Sequence, residues 1–116
     1  MTEQDCLFCK VVDGDIDADI VFENDSLVAF RDINPKAPTH ILLIPREHIA
    51  TMNDLEDGHD TLAGELFLTA ARIAADEGLA DDGYRVVMNC NAAAGQSVFH
   101  IHLHLLGGRT MGWPPG

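Results

Sequence analysis

Apolar and polar residues alternate over one stretch of this chain, Val98-Phe99-His100-Ile101-His102-Leu103-His104-Leu105. Period two is the mark of a half-buried β-strand, whose side chains point alternately to opposite faces. The pattern predicts Phe99, Ile101, Leu103 and Leu105 on a face that enters a core. His100, His102 and His104 share the other face, with Val98 beside them. Three imidazoles in register exceed what solvation asks of a strand face, where Thr, Lys or Glu would serve. Elsewhere, Ile20-Val21-Phe22-Glu23 and Leu27-Val28-Ala29-Phe30 are short apolar runs around Asn24-Asp25-Ser26, which predicts a tight hairpin. His40-Ile41-Leu42-Leu43-Ile44 is apolar without alternation and predicts a strand buried on both faces, ended by Pro45. From about Asp60 to Ala80 the period lengthens to that of a helix. Leu62, Leu66, Thr69 and Ile73 carry the stripe, Asp60 is the expected N-cap and Gly78 the expected stop. A turn at Asp82-Gly83 leads into a last predicted strand, Tyr84 to Cys90. Four or five strands and one long helix without βαβ alternation give an α+β fold with an antiparallel sheet, the helix covering its apolar face.

Composition narrows the picture. A length of 116 residues, 47% of them apolar, suits one domain spanning 1–116 with one core. No run of eighteen apolar residues is present, so no transmembrane helix is expected. The opening Thr2-Glu3-Gln4-Asp5 lacks the basic and apolar regions of a signal peptide, and a cytoplasmic location is expected. Nineteen Asp and Glu face seven Lys and Arg, a formal charge of −12, and Lys10 and Lys36 are the only lysines. That field repels polyanions, so nucleic acid is a poor partner, whereas a small phosphate ester can bind where local donors outweigh it. Self-repulsion that salt would screen suggests a salt-adapted, halophilic host. Three cysteines, Cys6, Cys9 and Cys90, do not make a disulfide framework.

The chemistry concentrates in few residues. Imidazole can act as base, acid, nucleophile or metal ligand near neutral pH. Adjacent cationic imidazoles repel, so the three cannot all be protonated, and different roles are expected for each. Cys6-Leu7-Phe8-Cys9 has the spacing to put two thiolates on one tetrahedral zinc. A redox pair has the same spacing, but no βαβ pattern surrounds it. Two further ligands are needed, and His40, His48, His59, His100, His104 and Cys90 all qualify by type; spacing does not choose. Asp32, just past a strand end, is well placed to accept hydrogen bonds from a ribose.

His100-Ile101-His102-Leu103-His104-Leu105-Leu106 resembles the His-φ-His-φ-His-φ-φ signature (φ apolar) of the histidine-triad (HIT) nucleotide hydrolases and transferases. Gly95-Gln96-Ser97-Val98 before it, and Leu106-Gly107-Gly108-Arg109 with Trp113-Pro114-Pro115-Gly116 after it, are similar to the Hint branch, the purine nucleoside phosphoramidases. The resemblance runs from Cys6 to the last residue. It implies an antiparallel five-stranded sheet with one long helix, two such sheets joined across a homodimer, and a tail of about 107–116 that reaches the partner. It implies hydrolysis of the P–N bond of purine nucleoside 5′-phosphoramidates of AMP type. His102 would be the nucleophile, His104 the phosphate-side donor, Ser97 the proton donor to the departing amine and His40 a support near the phosphate. His100 would orient His102 or, with Cys6, Cys9 and His48, hold a structural zinc, a set that animal Hint proteins lack in part. Asp32 would bind the ribose. Phe8, Val11, Ile16, Phe30 and Ile33 would wall the base, Asn89 would touch phosphate or sugar, and backbone near Gly95 and Ser97 would add donors. Gly112 departs from the larger residue common in animal Hint proteins and puts tail-mediated preference in doubt. The rival readings are a dinucleoside polyphosphate hydrolase or nucleotidyl transferase, a repair hydrolase of adenylated DNA, which the acidic surface disfavours, and a zinc-stabilised nucleotide-binding regulator.

Overall fold

A computed structural model describes residues 5–116; the Thr2-Glu3-Gln4 opening lies outside the described residues. A short helix α1, Leu7–Val12, precedes the hairpin β1, Ile20–Glu23, and β2, Leu27–Arg31. Then come β3, Thr39–Pro45, the long helix α2, Asp60–Asp76, and strands β4, Tyr84–Val87, and β5, Leu103–Gly107. The strands form one sheet in the order β1-β2-β3-β5-β4, antiparallel at every pairing. The expected hairpin is present. The Asn24 side chain closes it by accepting from the backbone N–H of Ser26 at 2.9 Å and of Leu27 at 2.8 Å, the local bonding that suits Asn to turns.

β3 is the central strand and is buried on both faces. Its alternate residues divide the interior in two. Ile41 and Leu43 join Leu27 and Ala29 of β2 and Leu103 and Leu105 of β5 beneath α2, where Leu66, Ala70, Ile73 and Ala74 meet them. Leu42 and Ile44 join Val28 and Phe30 on the opposite face, where Cys6, Phe8 and Val11 of the α1 segment cover them. The expected helix thus packs as its stripe implies, with small corrections at its ends. Asp60 is its first residue, not its cap, because the 3-10 turn Asp57–His59 runs straight into it. The helix stops at Asp76, short of Ala80. Gly78, at φ +77°, closes it: Gly78 N–H donates to Ala75 O and Leu79 N–H to Ala74 O, a Schellman motif that needs the left-handed region glycine enters freely.

Two strands are shorter than the alternation predicts. β5 begins at Leu103, so Val98 to His102 run outside the ladder, and Phe99 belongs to neither core cluster. Leu103 pairs with Leu43, so continuing the ladder would bring it to Pro45, which has no N–H to give and ends β3. The segment instead crosses the chain leaving β3: Ile101 N–H donates to Ile49 O at 2.7 Å. β4 ends at Val87, opposite His104, which leaves Asn89 and Cys90 beyond the strand for the same reason. Trp113 is 82% exposed. Its ring lies by the Arg85 guanidinium, 5.9 Å from the centroid, and Arg85 Nη2 donates to Gly112 O at 2.8 Å. Among the described residues no helix is long and apolar enough to cross a membrane.

Candidate active site and metal centre

The end of β3 and the approach to β5 bring the singled-out residues together. His100 is fully buried beneath α1. Its Nε2–H donates to Pro45 O at 2.7 Å, which turns Nδ1 toward the two thiols. Cys6 Sγ lies 3.3 Å from that nitrogen and Cys9 Sγ 3.5 Å; Cys9 Sγ is 3.2 Å from His48 Nδ1. The four donor atoms lie within 4.8 Å of one another. Zn–S bonds near 2.3 Å and Zn–N bonds near 2.1 Å at tetrahedral angles place S and N about 3.6 Å apart, so this set fits one metal ion. The Pro45 carbonyl fixes the ring as an outer-shell partner does in such sites. Of the six residues eligible by type, His48 and His100 are the two at the CxxC. His59 instead pairs with Glu47 at 3.0 Å. Cys6 also caps α1, its sulfur accepting from Cys9 N–H at 3.3 Å.

His102 follows on the same face. Its Nδ1–H donates to His100 O at 2.7 Å, so the hydrogen-bond network leaves Nε2 without a proton. Phe8 stands edge-on to the ring, with centroids 5.0 Å apart. His104 lies 4.9 Å from His102, centroid to centroid. His40 reaches it across the sheet, Nε2 to His104 Nδ1 at 2.9 Å. Here the network assigns every proton. Lys36 N–H donates to His40 Nδ1 at 3.0 Å, so His40 carries its proton on Nε2 and gives it to His104 Nδ1. His104 then carries its own on Nε2. Asp32 Oδ2 sits 3.5 Å from His40 Nε2 and Oδ1 accepts from Asn34 N–H at 2.8 Å. The site therefore holds one acceptor nitrogen on His102 and one donor on His104, side by side.

Charge agrees with this. Burial pushes His104 down to about 4, with His102 and His40 adding to the effect. Burial likewise lowers His100 to about 4, the Pro45 carbonyl opposing, and lowers His40 and His102. All four shifts favour the neutral ring.

His102 and His104 line a cavity of about 300 Å3 together with Phe8, Val11, Ile16, Phe30 and Ile33, and with Ser97 and Asp32 among its polar residues. Ile33 stands fully exposed at its rim. His40 and Asn89 line a separate cavity that shares Asp32 and His104 with the first. Gly95 lines neither of the two, and its N–H is engaged by Ala92 O at 3.0 Å. At φ +97° it serves the turn that precedes the triad.

Gln96 carries a role that no periodicity signals. It is buried, accepts from Asn91 N–H at 2.7 Å, and donates to Ala50 O at 2.8 Å and Val98 O at 3.1 Å. That clasp sets the path of the segment bearing Ser97.

The HIT domain family matches residues 13–111. The chain belongs to the HIT family. This HIT protein is 50% identical to the purine nucleoside phosphoramidase of Escherichia coli over 109 residues, 94% of this chain and 92% of that one. Its fold matches a HIT family hydrolase from Legionella pneumophila with a TM-score of 0.95 at 54% identity, covering 97% of this chain and 100% of the other. It also matches a zinc-bound histidine triad family protein from Mycobacterium smegmatis, TM-score 0.78 at 31% identity, over 93% of this chain and 78% of that one. The protein is an enzyme, a HIT-family hydrolase.

Proposed function

We propose that this hydrolase cleaves the P–N bond of purine nucleoside 5′-phosphoramidates, of adenosine 5′-monophosphoramidase type, through a nucleotidyl-histidine intermediate. The observation that carries the reading is the His102 ring: it lines the apolar cavity and its Nδ1–H is tied to a backbone carbonyl at 2.7 Å, which leaves Nε2 free of a proton. An imidazole held so, unprotonated on the attacking side, is an activated nucleophile. His102 Nε2 bonds to phosphorus as the P–N bond breaks, and the departing nitrogen takes a proton from the Ser97 hydroxyl to leave as an amine. Water then attacks phosphorus and frees His102, giving the nucleoside monophosphate and returning the proton to Ser97. His104 Nε2–H stabilises charge on the phosphoryl oxygens. Asp32 accepts from the ribose and the apolar wall takes the base. Asn89 contacts phosphate or sugar, and Ser97 N–H supplies a further donor.

Cys6, Cys9, His48 and His100 would hold a structural zinc. Two thiolates and two neutral imidazoles neutralise the ion and close its coordination, so it ties α1 to the end of β3 and leaves His102 to the chemistry. A homodimer of single-domain chains (1–116) completes the reading. Phe67 and Leu68 are 61% and 60% exposed on α2, and β4, with Tyr84 part-exposed, is a sheet edge. The tail beyond Gly107 would then reach the partner. A cytoplasmic location fits the low-thiol-pairing composition, and neither nucleic acid nor a membrane suits the charge of −12.

The test is turnover of adenosine 5′-phosphoramidate against a dinucleoside polyphosphate. Release of ammonia and AMP, with the dinucleotide slower by an order of magnitude or more, is expected. The opposite order would favour the dinucleotide hydrolase or transferase, and AMP binding without turnover of either would favour the regulator.

A further inference from the structure

Ser97 is held differently from the imidazoles beside it. His102 is tied to His100 O and His104 to His40. Ser97 lines the same cavity but is exposed, and among the described residues its hydroxyl makes no hydrogen bond. The place of that hydroxyl is therefore set by the backbone on either side of it.

Gln96 grips this backbone from both sides. Its Nε2 donates forward to Val98 O at 3.1 Å and across to Ala50 O at 2.8 Å. Its Oε1 accepts from Asn91 N–H at 2.7 Å, and its own N–H donates back to Asn91 O at 3.1 Å. These two reciprocal bonds close the loop 91–96 at its neck. Farther on, Ile101 N–H donates to Ile49 O at 2.7 Å. The segment 96–101 is thus moored at both ends to consecutive carbonyls, Ile49 and Ala50. The Gln96 amide is buried, so water does not compete for these bonds, and losing them would leave polar groups unpaired.

Asn91 shows what the clasp holds against. Among the described residues it is the only non-glycine at positive φ, with φ +68° and ψ 179°. That region belongs to glycine, and a side chain stays there only where its surroundings over-determine it. Here Gln96 engages both the N–H and the carbonyl of the strained residue.

We infer that Gln96 is a positioning residue for proton transfer to the leaving group: its clasp on Asn91, Ala50 and Val98 sets the Ser97 hydroxyl where the departing nitrogen needs it. This rests on the phosphoramidase reading and adds a residue to it. The proton moves from Ser97 Oγ to the nitrogen as the P–N electron pair withdraws onto that nitrogen. Gln96 neither gives nor takes a proton. A reacting group misplaced by about 1 Å can cost about a hundredfold in rate, so a slack clasp is felt in this step.

The experiment compares adenosine 5′-phosphoramidate with adenosine 5′-phosphorofluoridate. The two share nucleoside and phosphorus and differ in the leaving group: fluoride departs without a proton, whereas the nitrogen needs one. The readout is the phosphoramidate-to-phosphorofluoridate ratio of kcat/KM within each variant, in which the folded share of the chain cancels. Gln96→Met, of similar volume but without the clasp, should lower the ratio about ten- to a hundredfold, part of the roughly 10^2- to 10^4-fold that a positioned acid supplies. Gln96→Asn, whose amide is one methylene short, should lower it in the same direction, and it carries the test if Gln96→Met does not fold. Ser97→Ala should lower the ratio at least as far. Adding Gln96→Met to Ser97→Ala should lower it no further, because Gln96 acts through Ser97. An equal loss on both substrates in the Gln96 variants, or a further fall in the double variant, overturns the inference and leaves the phosphoramidase reading intact. A wild type that cleaves the phosphorofluoridate but not the phosphoramidate overturns that reading itself.

Discussion

The two faces of the sheet are built from the same strands and do opposite work. Beneath α2 lies an apolar cluster, from Leu27 and Leu43 to Leu103 and Leu105, with Thr69 the one buried polar side chain of the helix. On the α1 face the same strands and their approach segments carry His40, His100 and His102 at 6%, 0% and 7% exposure. A buried imidazole costs stability unless its nitrogens are bonded, and here they are, to Pro45 O, to His100 O, to Lys36 N–H, to each other or to the thiols. Among the described residues no buried side-chain N or O lacks a partner. The nitrogens left open, Nε2 of His102 and of His104, are the two the proposed reaction uses. One face holds the scaffold still, and that stillness makes the sparse bonding of the other face specific.

Paired substitutions separate the faces most sharply. His102→Ala should reduce turnover by roughly 10^4-fold or more, since no neighbour can replace a nucleophile, with little loss of melting temperature. Leu43→Ala on the α2 face should cost about 2–5 kcal/mol of stability and leave the kcat of the folded fraction near that of wild type, measured well below its melting temperature. If both variants lost activity and stability together, the division would be wrong.

Between these extremes lies the candidate metal centre. Cys6→Ser should abolish zinc retention, read as metal per chain, and lower the melting temperature by several degrees. Turnover by the protein that stays folded should persist, because His102 takes its orientation from a carbonyl. Dialysis against a chelator should reproduce the loss in wild type and change nothing in the variant. Activity that vanished with zinc at temperatures where the chain stays folded would give the metal more than a structural part.

A gentler probe is pH. His104 is held at about 4 by burial, against its ordinary value of 6.5. Above about pH 6.5 neither the folded nor the unfolded chain protonates it. As pH falls from there toward 4, the unfolded chain takes up a proton the folded one refuses, so stability is lost across that window. The melting temperature should fall more steeply between pH 6.5 and 4 in wild type than in His104→Asn, and equal slopes would contradict the neutral, buried ring.

The smallest effect expected is that of salt. With a formal charge of −12, KCl raised from near zero to about 1 M should increase the melting temperature by a few degrees as repulsion is screened. The salt-adapted host proposed from composition requires that gain, and a flat response would remove it.

Much of this was legible because parity is. The α2 face follows from Leu103, Leu105, Ile41 and Leu43 by counting in twos, and the helix from Leu62, Leu66 and Ile73 by counting in threes and fours. The metal set illustrates where counting stops. Cys6 and Cys9 announce themselves by spacing, whereas His48 and His100 came only from resemblance, since partners 39 and 91 residues from Cys9 meet through tertiary folding. The early end of the β5 ladder was hidden because alternation persists in extended chain whether or not a neighbour pairs with it; Pro45 decides that from another strand. Gln96 and the cavity lined by His40 and Asn89 leave no periodic trace, being defined by loop carbonyls and by walls from three separate segments.

The central claim is that His102 Nε2 bonds to the phosphorus, and the most direct measurement is a rapid acid-free quench of the wild-type enzyme turning over adenosine 5′-phosphoramidate, followed by peptide mass spectrometry. The account predicts one AMP moiety on the peptide containing His102, at its Nε2, absent from His102→Ala. Full turnover with no adduct at the shortest times, or an adduct on a different residue, would contradict it.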